Sequence, residues 1–214
     1  MSGSAATILA ALIGAMIGSV GSILLDAWLR GNREKKRKRD ELVQRYLLQL
    51  QDAVEGLWYR IDNLARRGGR AVMEDRYFEI STLYALGRVI AYERILLLDG
   101  VYPQLKQIDH DLSIYLKEEM QEIGNLMSGF HKYDQLALAE AVMEVVDGYS
   151  RAATYLEFKR RYDEDASLGG KTLLPAKEFL ATFAGHQLDS LLKTLAKTAK
   201  KIAKKTEIPT TVED

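Results

Sequence analysis

The chain has 214 residues, with 30 Lys and Arg set against 30 Asp and Glu, no cysteine and three histidines. The lack of cysteine excludes a disulfide framework, thiol catalysis and cysteinyl metal sites, and a formal charge of zero argues against nucleic acid as a partner, because binding to it needs an excess of Lys and Arg. The length suffices for one domain with a sizeable core behind an N-terminal anchor.

Met1 to Leu25 carries no charge and is followed by Asp26 and then by Arg30, Arg33, Lys35, Lys36, Arg37, Lys38 and Arg39. Ala5 to Leu25 alone would form about 31 Å of helix at ~1.5 Å per residue, which matches a hydrocarbon core of about 30 Å. The pattern predicts a single transmembrane helix over 1–29 and a basic juxtamembrane segment over 30–41. With the positive cluster on the C-terminal side, the positive-inside bias places the N-terminus outside and the rest in the cytoplasm, at an inner (plasma) membrane. A cleaved signal peptide would need positive charge before the apolar run and a small-residue cleavage site after it. Within the span, Ala10, Gly14, Gly18 and Ser22 recur at every fourth position. Small residues at that spacing let two helices approach closely in lipid, so they are candidates for self-association as a homo-oligomer. Asp26 is positioned to pair with Arg30 at the aqueous boundary.

The remainder predicts an all-α bundle of about five helices over 42–205, continuous with the span, and a disordered tail over 206–214. Val43, Leu47, Leu50, Val54, Leu57, Ile61 and Leu64 form heptads on a first long helix. Its flanks lack the complementary charges of a dedicated coiled coil, which favours packing inside the bundle. Gly68 and Gly69 end it. A second helix, about Asp75 to Leu98, is apolar on all sides and is expected to be central. One helix is expected over Gln104 to Met127. Another is expected over Asp134 to Tyr162, on the stripe Leu138, Val142, Val145, Tyr149, Ala152 and Leu156. The last carries Leu188, Leu191, Leu192, Leu195, Ala199 and Ile202 on one side and six lysines on the other. No segment shows useful strand alternation.

Tyr84, Arg88 and Tyr92 share one face of the central helix and are candidates for binding an anionic ligand, with arginine gripping phosphate or carboxylate and tyrosines stacking on a ring. The competing expectation is an internal ion pair of Arg88 with Glu119. Lys35, Lys36, Arg37, Lys38 and Arg39, together with Lys197 and Lys201, are candidate contacts to anionic lipid. Asp109-His110-Asp111 invites comparison with metal-dependent phosphohydrolases, yet His110 and Asp111 fall on the polar side of their helix, so no metal is expected. Gly170-Lys171-Thr172 lacks the strand and the first glycine of a phosphate loop. No catalytic motif and no cofactor signature is found.

The basic run, Leu57-Trp58-Tyr59-Arg60 and the segment Thr82-Leu83-Tyr84-Ala85-Leu86-Gly87-Arg88 resemble a broad group of bacterial single-pass membrane proteins of unknown activity, over most of about the first 130 residues. The resemblance implies an inner-membrane protein with a helical cytosolic domain and supplies no catalytic residue. These observations lead to the expectation of a membrane-anchored interaction or sensing module that self-associates and meets a protein partner, and not of an enzyme. Two alternatives are a ligand-gated pore-forming effector and a tethered enzyme acting on phosphate-containing substrates.

Overall fold

A computed structural model describes residues 28–66, 75–127, 129–165, 167–182 and 186–212. They fall into two units, one up to Glu41 and one from Leu42 onward. In the first, residues 28–41 are helical (α1) and mostly exposed, Lys35 to Arg39 included. Among the described residues no helix is long and apolar enough to cross a membrane. The apolar run that suggested an anchor, with Ala10, Gly14, Gly18, Ser22 and Asp26, lies outside them.

The second unit is mostly helical. A π-helical turn at Val43–Leu47 leads into α2 (Leu48–Arg66), followed by α3 (Asp75–Leu98), α4 (Val101–Ile108), α5 (His110–Leu126) and α6 (Lys132–Val142). A hairpin of β1 (Met143–Val146) and β2 (Tyr149–Ala152) comes next, then α7 (Tyr155–Glu164), a second π-turn, α8 (Leu174–Thr182) and α9 (His186–Thr206). The heptad stripe of α2 is turned inward: Leu47, Leu50, Val54, Leu57 and Ile61 are buried against α3 and α9. Each such side chain contributes roughly 1.5–3 kcal/mol on leaving water. Helix α3 is central, as its all-round apolar sequence predicts, with α2, α5, α6, α7, α8 and the hairpin packed on it. Its closest neighbour is α6. A Cβ at Gly87 would lie 2.6 Å from Val142 Cγ2 and 3.0 Å from Leu138 Cγ, so only glycine permits this approach.

Three expectations are corrected. The helix expected over Asp134 to Tyr162 ends at Val142, and a two-residue turn with Asp147 at φ 52° and Gly148 at φ 79° reverses the chain into an antiparallel hairpin. Asp-Gly tolerates those left-handed angles, and β-branched Val145 and Val146 suit a pleated strand. The helix resumes at Tyr155 behind a capping box, in which Thr154 Oγ1 accepts from the Glu157 N–H and Glu157 Oε2 accepts from the Thr154 N–H.

The helix expected over Gln104 to Met127 is broken at Asp109, whose Oδ1 accepts the Leu112 N–H at 3.0 Å and starts α5. Pro103 sits in the first turn of α4, where its missing N–H is tolerated. The tail is also not free as expected, since residues 206–212 run back along α2. Thr206 Oγ1 donates to Gln51 Oε1 at 2.7 Å, Tyr59 Oη donates to the Thr211 carbonyl at 2.9 Å, and Val212 is buried.

Candidate functional site

The three residues singled out on α3 are brought to one face of it, but each is occupied by the fold. Arg88 pairs with Asp52 of α2 and not with Glu119, which corrects the expected partner. Burial pulls the Arg88 guanidinium down, while the hydrogen bond and charge of Asp52 push harder, so it holds its proton more firmly than usual. Tyr84 Oη donates to the Ala153 carbonyl at 2.9 Å, and Tyr92 Oη donates to Gln49 Oε1 at 2.6 Å. Together they clamp α3 to α2 and to the end of the hairpin.

Glu119 of α5 is paired instead with Lys197 of α9. Lys197 lies 5.4 Å and Lys201 5.0 Å from the centre of the Tyr115 ring, close enough for cation–π attraction. Lys205 reaches Asp109 Oδ2 at 2.5 Å. These lysines therefore tie α9 to α5 and to the α4–α5 corner. His110 and Asp111 are exposed at the start of α5, and among the described residues no cluster of three His, Asp or Glu side chains is placed to hold a metal ion.

The bundle does contain a cavity, of about 580 Å³, in a part of the sequence that its motifs do not mark. Glu93 and Leu97 come from α3, Tyr102 from α4, Lys117, Gln121, Gly124 and Asn125 from α5, Met127, Phe130 and His131 from the turn beyond, and Lys132 and Gln135 from α6. Phe130 is fixed by stacking on Phe179 of α8, with ring centres 5.1 Å apart. Arg88 does not line this cavity.

Its polar lining is unusual in being incompletely satisfied. Gln135 is 3% exposed; its Nε2 donates to the carbonyls of Gly124 at 3.1 Å and Phe130 at 2.8 Å, so the orientation of the amide is fixed. Its Oε1 is buried and has no hydrogen-bond partner among the described residues. The same is true of Tyr102 Oη. Leaving such an atom unsatisfied costs about 1–3 kcal/mol. Burial pushes the Tyr102 phenol above its ordinary range and the nearby Glu93 charge adds to this, so it stays a hydroxyl at neutral pH. A Cβ at Gly124 would stand 3.3 Å from Gln135 Oε1, so a larger residue there would press on that oxygen. The Glu93 carboxylate is met only at 3.4 Å by Lys132, whose side chain is 58% exposed.

No protein-family model, no curated protein and no solved structure matches this chain. The resemblance to bacterial single-pass proteins thus rests on the sequence segments that carry it.

One sequence signal does point to the cavity. Gln135, Leu138, Ala139 and Val142 lie on one face of α6, so an amide occupies a core position. A buried glutamine in an apolar stripe demands partners for both ends of its amide.

Proposed function

We propose that this protein is a membrane-anchored sensing module whose helical bundle admits a small molecule between α3, α4, α5 and α6. The observation that carries this reading is a cavity of ligand size whose lining includes Gln135 and Tyr102, each of which has a buried polar atom that the described residues leave unsatisfied. Anchoring is supported by the uncharged run from Met1 to Leu25 and the basic cluster behind it, which orient the bundle toward the cytoplasm. Self-association is assigned to Ala10, Gly14, Gly18 and Ser22, because the Val43 to Leu64 heptads, the other candidate surface, face the interior of the bundle.

Ligand-observed NMR of the full chain in detergent micelles against a broad set of small metabolites tests the reading, with Gly124→Leu as the variant that fills the cavity beside Gln135. At least one compound is expected to bind the parent protein and not a Gly124→Leu protein that keeps its helical content. Equal binding to both proteins, or no binding at all, removes the sensing role.

A further inference from the structure

We propose that the π-helical turn at Val43–Leu47 is a two-position switch, latched by Asp99, whose setting fixes how the chain that precedes Leu42 leaves the bundle. The inference rests on the sensing reading above and adds the device that carries its output.

The sequence offers two registers. An unbroken α-helix advances about 100° per residue, so Val43 would stand in line with Leu50, Val54 and Ile61, and Leu42 about 100° to one side. The structure has the other arrangement: Leu42 is buried at 5% exposure and Val43 is only half-buried. The turn itself is the cause, because the Leu48 N–H reaches back to the Val43 carbonyl and one more residue than usual is taken up. Both positions are apolar, so either register buries a side chain, Leu42 with the turn wide and Val43 with the turn closed to α-helical bonds. Closing it rotates the chain ahead of Leu42 by one residue's share, roughly 100°. Two discrete packings of similar apolar content are what a switch element needs.

Side-chain contacts hold the wide form. Tyr46 Oη donates to Asp99 Oδ2 at 3.1 Å and the Ser150 hydroxyl donates to Asp99 Oδ1 at 3.1 Å. The Arg45 guanidinium carbon lies 3.4 Å from the centre of the Tyr149 ring, within cation–π range. Two consecutive residues of the turn are thus gripped, Tyr46 by the end of α3 and Arg45 by β2. Closing the turn displaces both. Asp99 falls between Leu97 and Tyr102, which line the cavity, so the latch sits in a segment that walls the proposed binding site.

The chain has no cysteine, so single cysteines can report on each register. Leu42→Cys and Val43→Cys are labelled with a maleimide in the full chain in detergent micelles, each alone and combined with Asp99→Ala or Tyr46→Phe. Releasing the latch is expected to speed labelling of Leu42→Cys and to slow that of Val43→Cys, each by at least about threefold, within the loss that goes with one charge-assisted hydrogen bond. General loosening would speed both, so slowing at Val43 separates a switch from a merely structural bond. Val43→Cys carries the decision alone if Leu42→Cys melts early. Deleting Gln44 removes the extra residue and leaves Leu42 inward on a plain α-helix; in that background Asp99→Ala should no longer produce opposite changes. Unchanged labelling, changes of the same direction at both positions, or opposite changes that persist without Gln44 overturn the switch. If compounds bind but the opposite changes are missing, the switch falls and the sensing role stands; opposite changes in a protein that binds no compound support the switch and remove only its input.

Discussion

One carboxylate joins three helices at the corner of the bundle: Asp109 Oδ1 accepts the Leu112 N–H at 3.0 Å and Oδ2 accepts from Lys205 at 2.5 Å. The first bond caps α5 where α4 ends, and the second draws in the end of α9. A cap of this kind is worth roughly 1 kcal/mol, and a partly exposed ion pair less than about 1 kcal/mol. Asp109→Ala is therefore expected to lower stability by about 1–2 kcal/mol in urea unfolding followed by circular dichroism. Asp109→Asn keeps an acceptor for the cap and should lose less than half of that. Equal losses in the two variants would mean that the cap contributes nothing.

Gly87 makes the second prediction, because α3 and α6 touch there. A Cβ at 2.6 Å from Val142 Cγ2 forces the helices apart, and overpacking of a core costs about 1–3 kcal/mol. The gain in helix propensity on replacing glycine recovers at most ~1 kcal/mol. Gly87→Ala should destabilise by about 1–2 kcal/mol on this balance. In a Val142→Ala background the offending methyl is gone, so the two losses should sum to less than additive in a double-mutant cycle.

Much of this architecture is legible in the sequence where one periodicity dominates. The apolar spacing of Val43 to Leu64 identifies a buried helix face, and the all-round apolar α3 identifies the centre. The hairpin is hidden because Leu138, Val142, Val145 and Tyr149 satisfy a helical period across it, and only Asp147-Gly148 carries the contrary signal. Asp109 is likewise a cap inside a pattern that reads as one helix. Helical wheels show that Arg88 faces inward among tyrosines, but not which neighbouring helix lies opposite; that depends on packing, and Asp52 takes the place expected of Glu119. The cavity is legible only through Gln135 at a core position.

Alkaline pH should weaken the bundle. Burial holds the phenols of Tyr84, Tyr92 and Tyr102 above their ordinary range, with Glu93 adding to the effect at Tyr102. Phenols in the unfolded chain lose their protons near pH ~10, so above that point the native state binds more protons. Stability is then complete below pH ~10 and falls as pH rises toward the raised native values, by up to about 1.4 kcal/mol per pH unit for each fully buried phenol. Lys197, raised chiefly by its hydrogen bond to Glu119, shifts stability in the same direction. Urea midpoints measured from pH ~8 to ~11.5 should decline, and Tyr102→Phe should decline less steeply than the parent. Parallel curves would show that the Tyr102 hydroxyl reaches solvent in the native state.

Anchoring and self-association make a prediction of their own. The full chain should resist alkaline carbonate extraction from vesicles, and cross-linking in membranes should trap oligomers that Gly14→Leu combined with Gly18→Leu abolishes, since bulky side chains keep spanning helices apart. Release by carbonate would remove the anchor, and monomers alone in the parent would remove self-association.

The pair of Glu119 and Lys197 tests how α9 is held. Glu119 is 8% exposed while the Lys197 side chain is 65% exposed, so the carboxylate bears most of the desolvation and the lysine meets it from the solvent side. Lys197→Ala leaves a buried charge without that partner. For a fully buried pair the cost is about 3–5 kcal/mol, and solvent access on the lysine side reduces this to roughly 1–2 kcal/mol. Glu119→Met removes the charge and keeps the volume, and it should be neutral or stabilising, because a well-packed apolar residue avoids the desolvation altogether. In the Glu119→Met background, Lys197→Ala should then have almost no effect on the urea midpoint. If Lys197→Ala alone is neutral, water already solvates the Glu119 carboxylate and α9 is held by Leu191, Leu195, Ala199 and Ile202 without help from the ion pair.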